Sequence, residues 1–194
     1  MCYPGIIEWV ANNVSAEEIK GKRVLEIGSC DVNGTVRPTI MAYGPSEYVG
    51  IDLHGGPMVD KVLPAEKILE CYAPETFDMV ICVETLEHVV DWRLVVNNMK
   101  AVLKPNGIII ITTPAIGFGF HPYPYDCWRF TAEDYANIFA DLEILVLKPE
   151  GVFLKARKLA NATPRNLEDI SIYSMTLQKR TNMIPSMRCL EASP

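Results

Sequence analysis

Glu84, Glu87 and His88 stand at positions i, i+3 and i+4 of one short segment, and a further histidine, His121, follows later in the chain. On a helical turn that spacing gathers the three side chains on one side. A neutral imidazole near pH 7 can take a proton from a hydroxyl or an amine, so His88 is a candidate general base and His121 an independent one. With His121, the set Glu84, Glu87 and His88 can also line a metal site with oxygen and imidazole donors. A plain structural role competes for His88, which can anchor the turn after a strand by hydrogen bonding.

A different chemistry is written into Lys22-Arg-Val-Leu-Glu-Ile-Gly-Ser-Cys-Asp-Val-Asn-Gly34. Val24, Leu25 and Ile27 supply an apolar strand that Glu26 interrupts, and Gly28 and Gly34 allow a sharp turn or a close approach to a ligand. Backbone N–H groups at a following helix start would face an anionic or zwitterionic molecule. Asp52 ends the next strand, where one carboxylate can accept from both hydroxyls of a ribose; capping the following turn is its competing role. A dinucleotide fingerprint starting at Gly28 would need glycine at Cys30 and Asn33, so a nicotinamide cofactor is disfavoured.

The elements that must position these residues alternate between strand-like and helix-like. Strands are predicted at 23–27, 48–53, 58–62, 77–83, 107–113 and 143–148, with a last one at 170–179 after the 151–158 segment and a polar connection. Trp92, Val95, Val96, Met99 and Leu103 recur at helical spacing over 91–103, and Pro105-Asn106-Gly107 breaks that helix. Thr131 with Asp134 forms an acidic capping box for another helix ending near Phe139. Residues 6–13 read as a short helix, within an N-terminal lid over 1–20. The alternation predicts an α/β fold with helices on both faces of a mostly parallel sheet, where ligands bind beyond the carboxyl ends of the strands. One domain over 1–180 is expected, with 181–194 as a flexible tail.

Composition narrows the partners. The 194 residues are 49% hydrophobic and 22% charged, ordinary for a globular domain. A net charge of −6 argues against gripping a phosphate backbone. No apolar run approaches the roughly 20 residues of a membrane helix, and no signal layout opens the chain, so a cytoplasmic protein with a small-molecule substrate is expected. Its oligomeric state stays open. The six cysteines form no C-x-x-C pair, so neither a zinc framework nor disulfides are indicated.

Three segments in order carry a resemblance. Glu26 and Gly28 match a degenerate E-x-G-x-G-x-G; Phe77-Asp-Met-Val, followed by Glu84-Thr-Leu-Glu-His88, and Leu103-Lys-Pro-Asn-Gly107 complete it. Together they resemble the class I S-adenosylmethionine (SAM) methyltransferases. Asn106 replaces a glycine of the usual turn, tolerable because asparagine also visits positive φ. Further matches, at Glu26 to Pro38, Gly56-Pro-x-Val-Asp60 and His121-Pro-x-Pro-x-Asp-x-Trp-Arg-Phe-Thr131, resemble small bacterial-type methyltransferases associated with glycan or secondary metabolism.

The resemblance implies a three-layer Rossmann-like fold whose seven-stranded, mostly parallel sheet has its last strand antiparallel. It implies SAM as cofactor, S-adenosylhomocysteine as product, and a methyl acceptor that is most plausibly a sugar-like or metabolite hydroxyl. Glu26, Gly28, Ser29, Cys30 and Gly34 would cradle the methionine part, Asp52 the ribose, Leu53 the adenine, and Val83 and Glu84 would lie beside the methionine. Segment 62–65 would border the adenine, while His121, Tyr123 and Tyr125 would meet the substrate. The E-x-x-E-H arrangement also resembles that of small-RNA 2′-O-methyltransferases and ubiquinone-pathway O-methyltransferases, which orient the acceptor hydroxyl with a divalent ion; the wider family often keeps these residues without a metal, so a site without one is the expectation. Asp126 with Arg129, and Trp128 with Phe130, read as a structural clamp and core. A non-catalytic module binding SAM or a nucleoside is the alternative.

Overall fold

A computed structural model describes residues 3–149, 151–161 and 163–184. In chain order the elements are α1 (Pro4–Asn12), α2 (Ala16–Ile19), β1 (Arg23–Ile27), α3 (Arg37–Met41), β2 (Glu47–Asp52), β3 (Lys61–Val62), α4 (Ile68–Cys71), β4 (Phe77–Val83), α5 (Trp92–Val102), β5 (Leu103–Thr113), β6 (Trp128–Arg129), α6 (Ala132–Ile138), β7 (Leu142–Lys148), β8 (Val152–Lys158), β9 (Ile172–Ser174) and β10 (Lys179–Thr181). Seven strands form one sheet in the order β3-β2-β1-β4-β5-β8-β7. The pairings from β3 to β5 are parallel, and β8 runs antiparallel to both its neighbours.

Central strands read as continuous apolar runs because both faces are covered. Successive residues go to opposite layers: Val80, Cys82, Ile109 and Ile111 pack with α5 and α6, and Met79, Ile81, Val83, Ile108 and Ile110 with α1 and α3. Each fully buried aliphatic side chain contributes about 1.5–3 kcal/mol to that core. Asp91 caps α5 by accepting from the Leu94 N–H at 3.1 Å. Thr131 and Asp134 form the expected reciprocal box on α6. Asn106 adopts φ 64°, and a Cβ on the next residue, Gly107, would stand 2.8 Å from the Lys104 carbonyl oxygen.

Four expectations change. The strand predicted at 58–62 shrinks to Lys61–Val62, because Met58 has φ 67° and the Asp60 carboxylate takes the Gly50 N–H at 2.7 Å, where a sheet partner would otherwise sit. The antiparallel strand of the main sheet is β8, entered through Gly151 at φ 69°, rather than 170–179. That segment instead makes β9 and β10, a hairpin that with β6 forms a separate three-stranded sheet. Residue Thr181 therefore belongs to a strand rather than to a tail; 185–194 lie outside the described residues. Finally, α1 is a core helix more than a lid: Ile6 and Val10 are fully buried, and Trp9 packs on Phe153 at 5.1 Å. No described helix is long and apolar enough to cross a membrane.

Candidate active site

Beyond the carboxyl ends of β1, β2 and β4 lies a cavity of about 530 Å³. Gly28, Cys30, Asp52, Leu53, Glu84, His88, Tyr123 and Tyr125 line it, as do Leu63, Pro64, Ala65 and Glu66 after β3 and Thr85, Val89 and Val90 after β4. Most of the residues singled out in the sequence thus meet in one place.

The β1 side is organised by Asp52. Its carboxylate accepts the Cys30 N–H at 3.0 Å and the His54 N–H at 3.4 Å, which fixes the loop after β1 to the end of β2. Gly28 has φ 75°, and a Cβ there would lie 2.0 Å from the Thr85 hydroxyl oxygen. The glycine therefore makes room for Thr85, as well as opening the backbone to the cavity. The Cys30 sulfur has its own space against Gly56, where a Cβ would sit 2.6 Å away; burial pushes the thiol pKa up.

Four residues expected at the cofactor do not line the cavity. Glu26 is buried behind the loop and accepts the Tyr48 hydroxyl at 2.7 Å; burial pushes its carboxyl up to about 7. Ser29 packs under Gly50, and Val83 belongs to the core. Gly34 donates its N–H to Asp31 at 2.9 Å, closing a turn. They shape the cradle from behind.

On the β4 side, Glu84 has φ 47°, an uncommon conformation for a side-chain-bearing residue and one that gathers at functional sites. Thr112 holds it by donating its hydroxyl to the carboxylate at 2.8 Å. Burial, then the charge of Glu87, pushes the Glu84 carboxyl up to about 7. The α-turn expected from the i, i+3, i+4 spacing is a tighter 3₁₀ turn, Leu86–His88, so Glu84 parts from the other two. Tyr3, ahead of α1, comes near it: burial and then the Glu84 charge raise the phenol pKa.

Glu87, His88 and His121 do converge, with one donor atom of each within 4.8 Å of the others. Glu87 is fully buried, and neither carboxylate oxygen has a hydrogen-bond partner among the described residues. The Nε2 atoms of His88 and His121 stand 3.5 and 3.8 Å from its Oε1. His88 gives its Nδ1–H to the Tyr125 carbonyl at 2.6 Å, and His121 Nδ1 lies 3.1 Å from the Gly119 carbonyl. Each neutral imidazole then has its lone pair on Nε2, facing Glu87. Attraction to the Glu87 carboxylate, 3.8 Å from Nε2 and beyond ordinary hydrogen-bond length, is the largest reason that the His121 pKa is raised. The protonated ring turns an Nε2–H toward Glu87, and Nε2 offers a lone pair only while the ring is neutral. Buried carboxylate oxygens cost free energy when unsatisfied, and two imidazole lone pairs beside them supply the donor set of a cation site. Thr85 and Glu87's lone burial had no sequence signal; both depend on how the 3₁₀ turn folds against the loop after β5.

A family model described as Methyltransferase domain matches residues 6–160. The chain is 34% identical over 113 residues to the ubiquinone biosynthesis O-methyltransferase of Bordetella bronchiseptica, covering 51% of this chain and 45% of that protein. It is 28% identical over 120 residues to the enzyme of the same name from Stutzerimonas stutzeri, covering 55% and 49%. The chain thus spans about half the length of these curated relatives. Among solved structures, a Burkholderia thailandensis 1,6-didemethyltoxoflavin-N1-methyltransferase with bound S-adenosylhomocysteine is similar at TM-score 0.60 and 16% identity, covering 79% of this chain and 78% of that one. The [4+2]-cyclase SpnF is similar at TM-score 0.62 and 16% identity, covering 81% of each; fold alone does not fix the chemistry. With sheet order, strand-end cavity and family match in agreement, the chain belongs to the methyltransferase-domain family and has the fold of the class I SAM-dependent methyltransferases.

Proposed function

We propose that this chain transfers the methyl group of SAM to a hydroxyl of a small molecule, with a divalent cation held by Glu87, His88 and His121. The observation that carries the cation is the fully buried Glu87 carboxylate, its two oxygens without hydrogen-bond partners among the described residues and faced by two imidazole nitrogens. The residues fit such an ion: two imidazoles and one carboxylate suit a divalent first-row transition metal better than Mg²⁺, which favours oxygen donors, and Mn²⁺ is the member of that series closest to Mg²⁺ in its preference for oxygen. When bound, the cation supplies a positive charge that orients an acceptor hydroxyl and lowers its pKa.

The rest follows from the chain's own groups. Asp52 would accept from the ribose hydroxyls with the lone pairs that the Cys30 and His54 N–H groups leave free. Leu53, Leu63, Ala65 and Val89, which line the cavity, would flank the adenine, and Glu84 would lie toward the methionine end. Methyl transfer from a sulfonium needs in-line approach of the acceptor oxygen, and positioning supplies much of the acceleration. Tyr123 and Tyr125 shape the acceptor side of the same cavity. The acidic groups Glu84 and Glu87 serve a hydroxyl acceptor, whose proton must leave, and the names of the relatives favour oxygen as the acceptor atom.

Methyl transfer from labelled SAM to a panel of catechol, sugar and hydroxy-acid acceptors, with Mn²⁺ or with EDTA, tests this. Transfer that EDTA abolishes and Mn²⁺ restores is expected. Undiminished transfer in EDTA removes the cation, and tight S-adenosylhomocysteine binding with no transfer to any acceptor favours a binding module. Asp52→Ala is expected to weaken S-adenosylhomocysteine binding about tenfold, the loss of one charged hydrogen-bonding group.

A further inference from the structure

The geometry points to Asp126, held by Arg129, as the positioning residue that turns the Nε2 of His121 toward Glu87. The inference rests on the reading of Glu87, His88 and His121 as a cation site. Asp126 and Arg129 are only 3% and 1% exposed, and a buried ion pair repays its desolvation only through a full set of hydrogen bonds. Here the set is nearly complete. Arg129 grips both Asp126 oxygens, Nη1 at 2.5 Å and Nη2 at 2.7 Å, in the bidentate geometry that fixes orientation as well as distance. The second N–H of each of those nitrogens reaches the Trp128 and Gly119 carbonyls, each at 2.9 Å, and the Nε–H reaches the Phe118 carbonyl at 3.4 Å.

Asp126 passes this order on to His121. Its Oδ2 accepts the His121 backbone N–H at 2.9 Å and lies 3.3 Å from the ring Nδ1. The Gly119 carbonyl, oriented by the same guanidinium, lies 3.1 Å from that Nδ1. Both neighbours only accept, so Nδ1 carries the proton and, in the neutral ring, Nε2 has the lone pair. Arg129 Nη2 also comes within 3.4 Å of Nδ1, but its two protons already go to Asp126 and Gly119. Arg129 is itself fixed by β6, which pairs with Tyr173 and Ser174 of β9. The small second sheet thereby braces one member of a trio that lies beyond the first.

A clamp of purely mechanical purpose would hold the loop without choosing a ring nitrogen, so the test reads the ring. The chain has three histidines, and ¹⁵N imidazole spectra with a His121→Gln assignment variant report the His121 tautomer directly. Asp126→Asn keeps the shape but places an amide donor near Nδ1. It is expected to move neutral His121 from the Nδ1–H to the Nε2–H tautomer and to weaken Mn²⁺ binding about 10–100-fold by calorimetry. Asp126→Glu, which keeps the acceptor, is expected to retain the Nδ1–H form, and it serves if the asparagine variant does not fold. Wild-type tautomer and wild-type Mn²⁺ affinity in folded Asp126→Asn would overturn the inference. A tautomer change in a protein whose wild type binds no Mn²⁺ would uphold the positioning role and sink the cation reading instead.

Discussion

The two sides of the site are built in opposite ways, and of Glu87, His88 and His121 only His88 lines the cavity itself. On the β1–β2 side, backbone amides converge on one carboxylate: Asp52 ties down Cys30 and His54, and Glu26, Ser29 and Gly34 stay behind the wall. On the β4 side, side chains do the work: Glu87 is buried bare between two histidines whose far nitrogens are committed to backbone carbonyls of the loop after β5. The first arrangement recognises a molecule by shape and hydrogen bonding. The second stores unpaired donor capacity, which is what chemistry or a cation requires. Gly28 and Thr85 are where the halves touch.

The largest effect separates the halves by function. Glu87→Gln keeps the shape and removes the charge, and is expected to cut turnover about a thousandfold, the scale of losing a central electrostatic group. S-adenosylhomocysteine affinity should stay within about twofold; an equal loss of both would mean that the halves are not separable.

Next comes the contact between them. Gly28→Ala places a Cβ against Thr85 in a backbone with positive φ, so a loss of about 3 kcal/mol in urea unfolding is expected. Pairing it with Thr85→Ala should recover part of that loss, because the clash is shared. Full additivity of the two substitutions would show that Thr85 is not what the glycine accommodates.

The smallest effect concerns the wall behind the cofactor side. Burial raises the Glu26 carboxyl to about 7 from its ordinary 4.5, so the folded state favours the protonated form. Its contribution is therefore fully present below about pH 4.5 and is lost as pH rises through 7. Between pH 5 and 8 the stability lost through this group is on the order of 2 kcal/mol. Glu26→Gln should flatten that part of the unfolding profile; a profile as steep as the wild type's would place the titration elsewhere, Glu84 being the next group with a raised value.

The comparison also explains what the sequence made legible. The cofactor side is contiguous motif: a strand, a turn, and an acid at the next strand end, so Gly28 and Asp52 could be read from local pattern, while Cys30 and Leu53 were implied only by the resemblance. Glu84, Glu87 and His88 were legible as a group but not as a geometry, because spacing alone does not distinguish an α-turn from a 3₁₀ turn that starts after a residue with positive φ. Strand β8 was hidden although Gly151 lies between two seven-residue strands; the alternation of 170–179 competed with it, and only long-range pairing decides between them. Asp126 and Arg129 were visible as an ion pair. Their bond to His121 was not, since it depends on where a glycine-rich loop comes to rest.

The central claim is that Glu87, His88 and His121 hold a cation beside a separately formed cofactor pocket. Its most direct test is a crystal grown with S-adenosylhomocysteine and Mn²⁺, with anomalous differences collected at the manganese edge. The expected result is S-adenosylhomocysteine along Asp52 and Leu53, with a single anomalous peak bounded by Glu87 and the two histidine Nε2 atoms. S-adenosylhomocysteine in the cavity with no peak between those three side chains would contradict it.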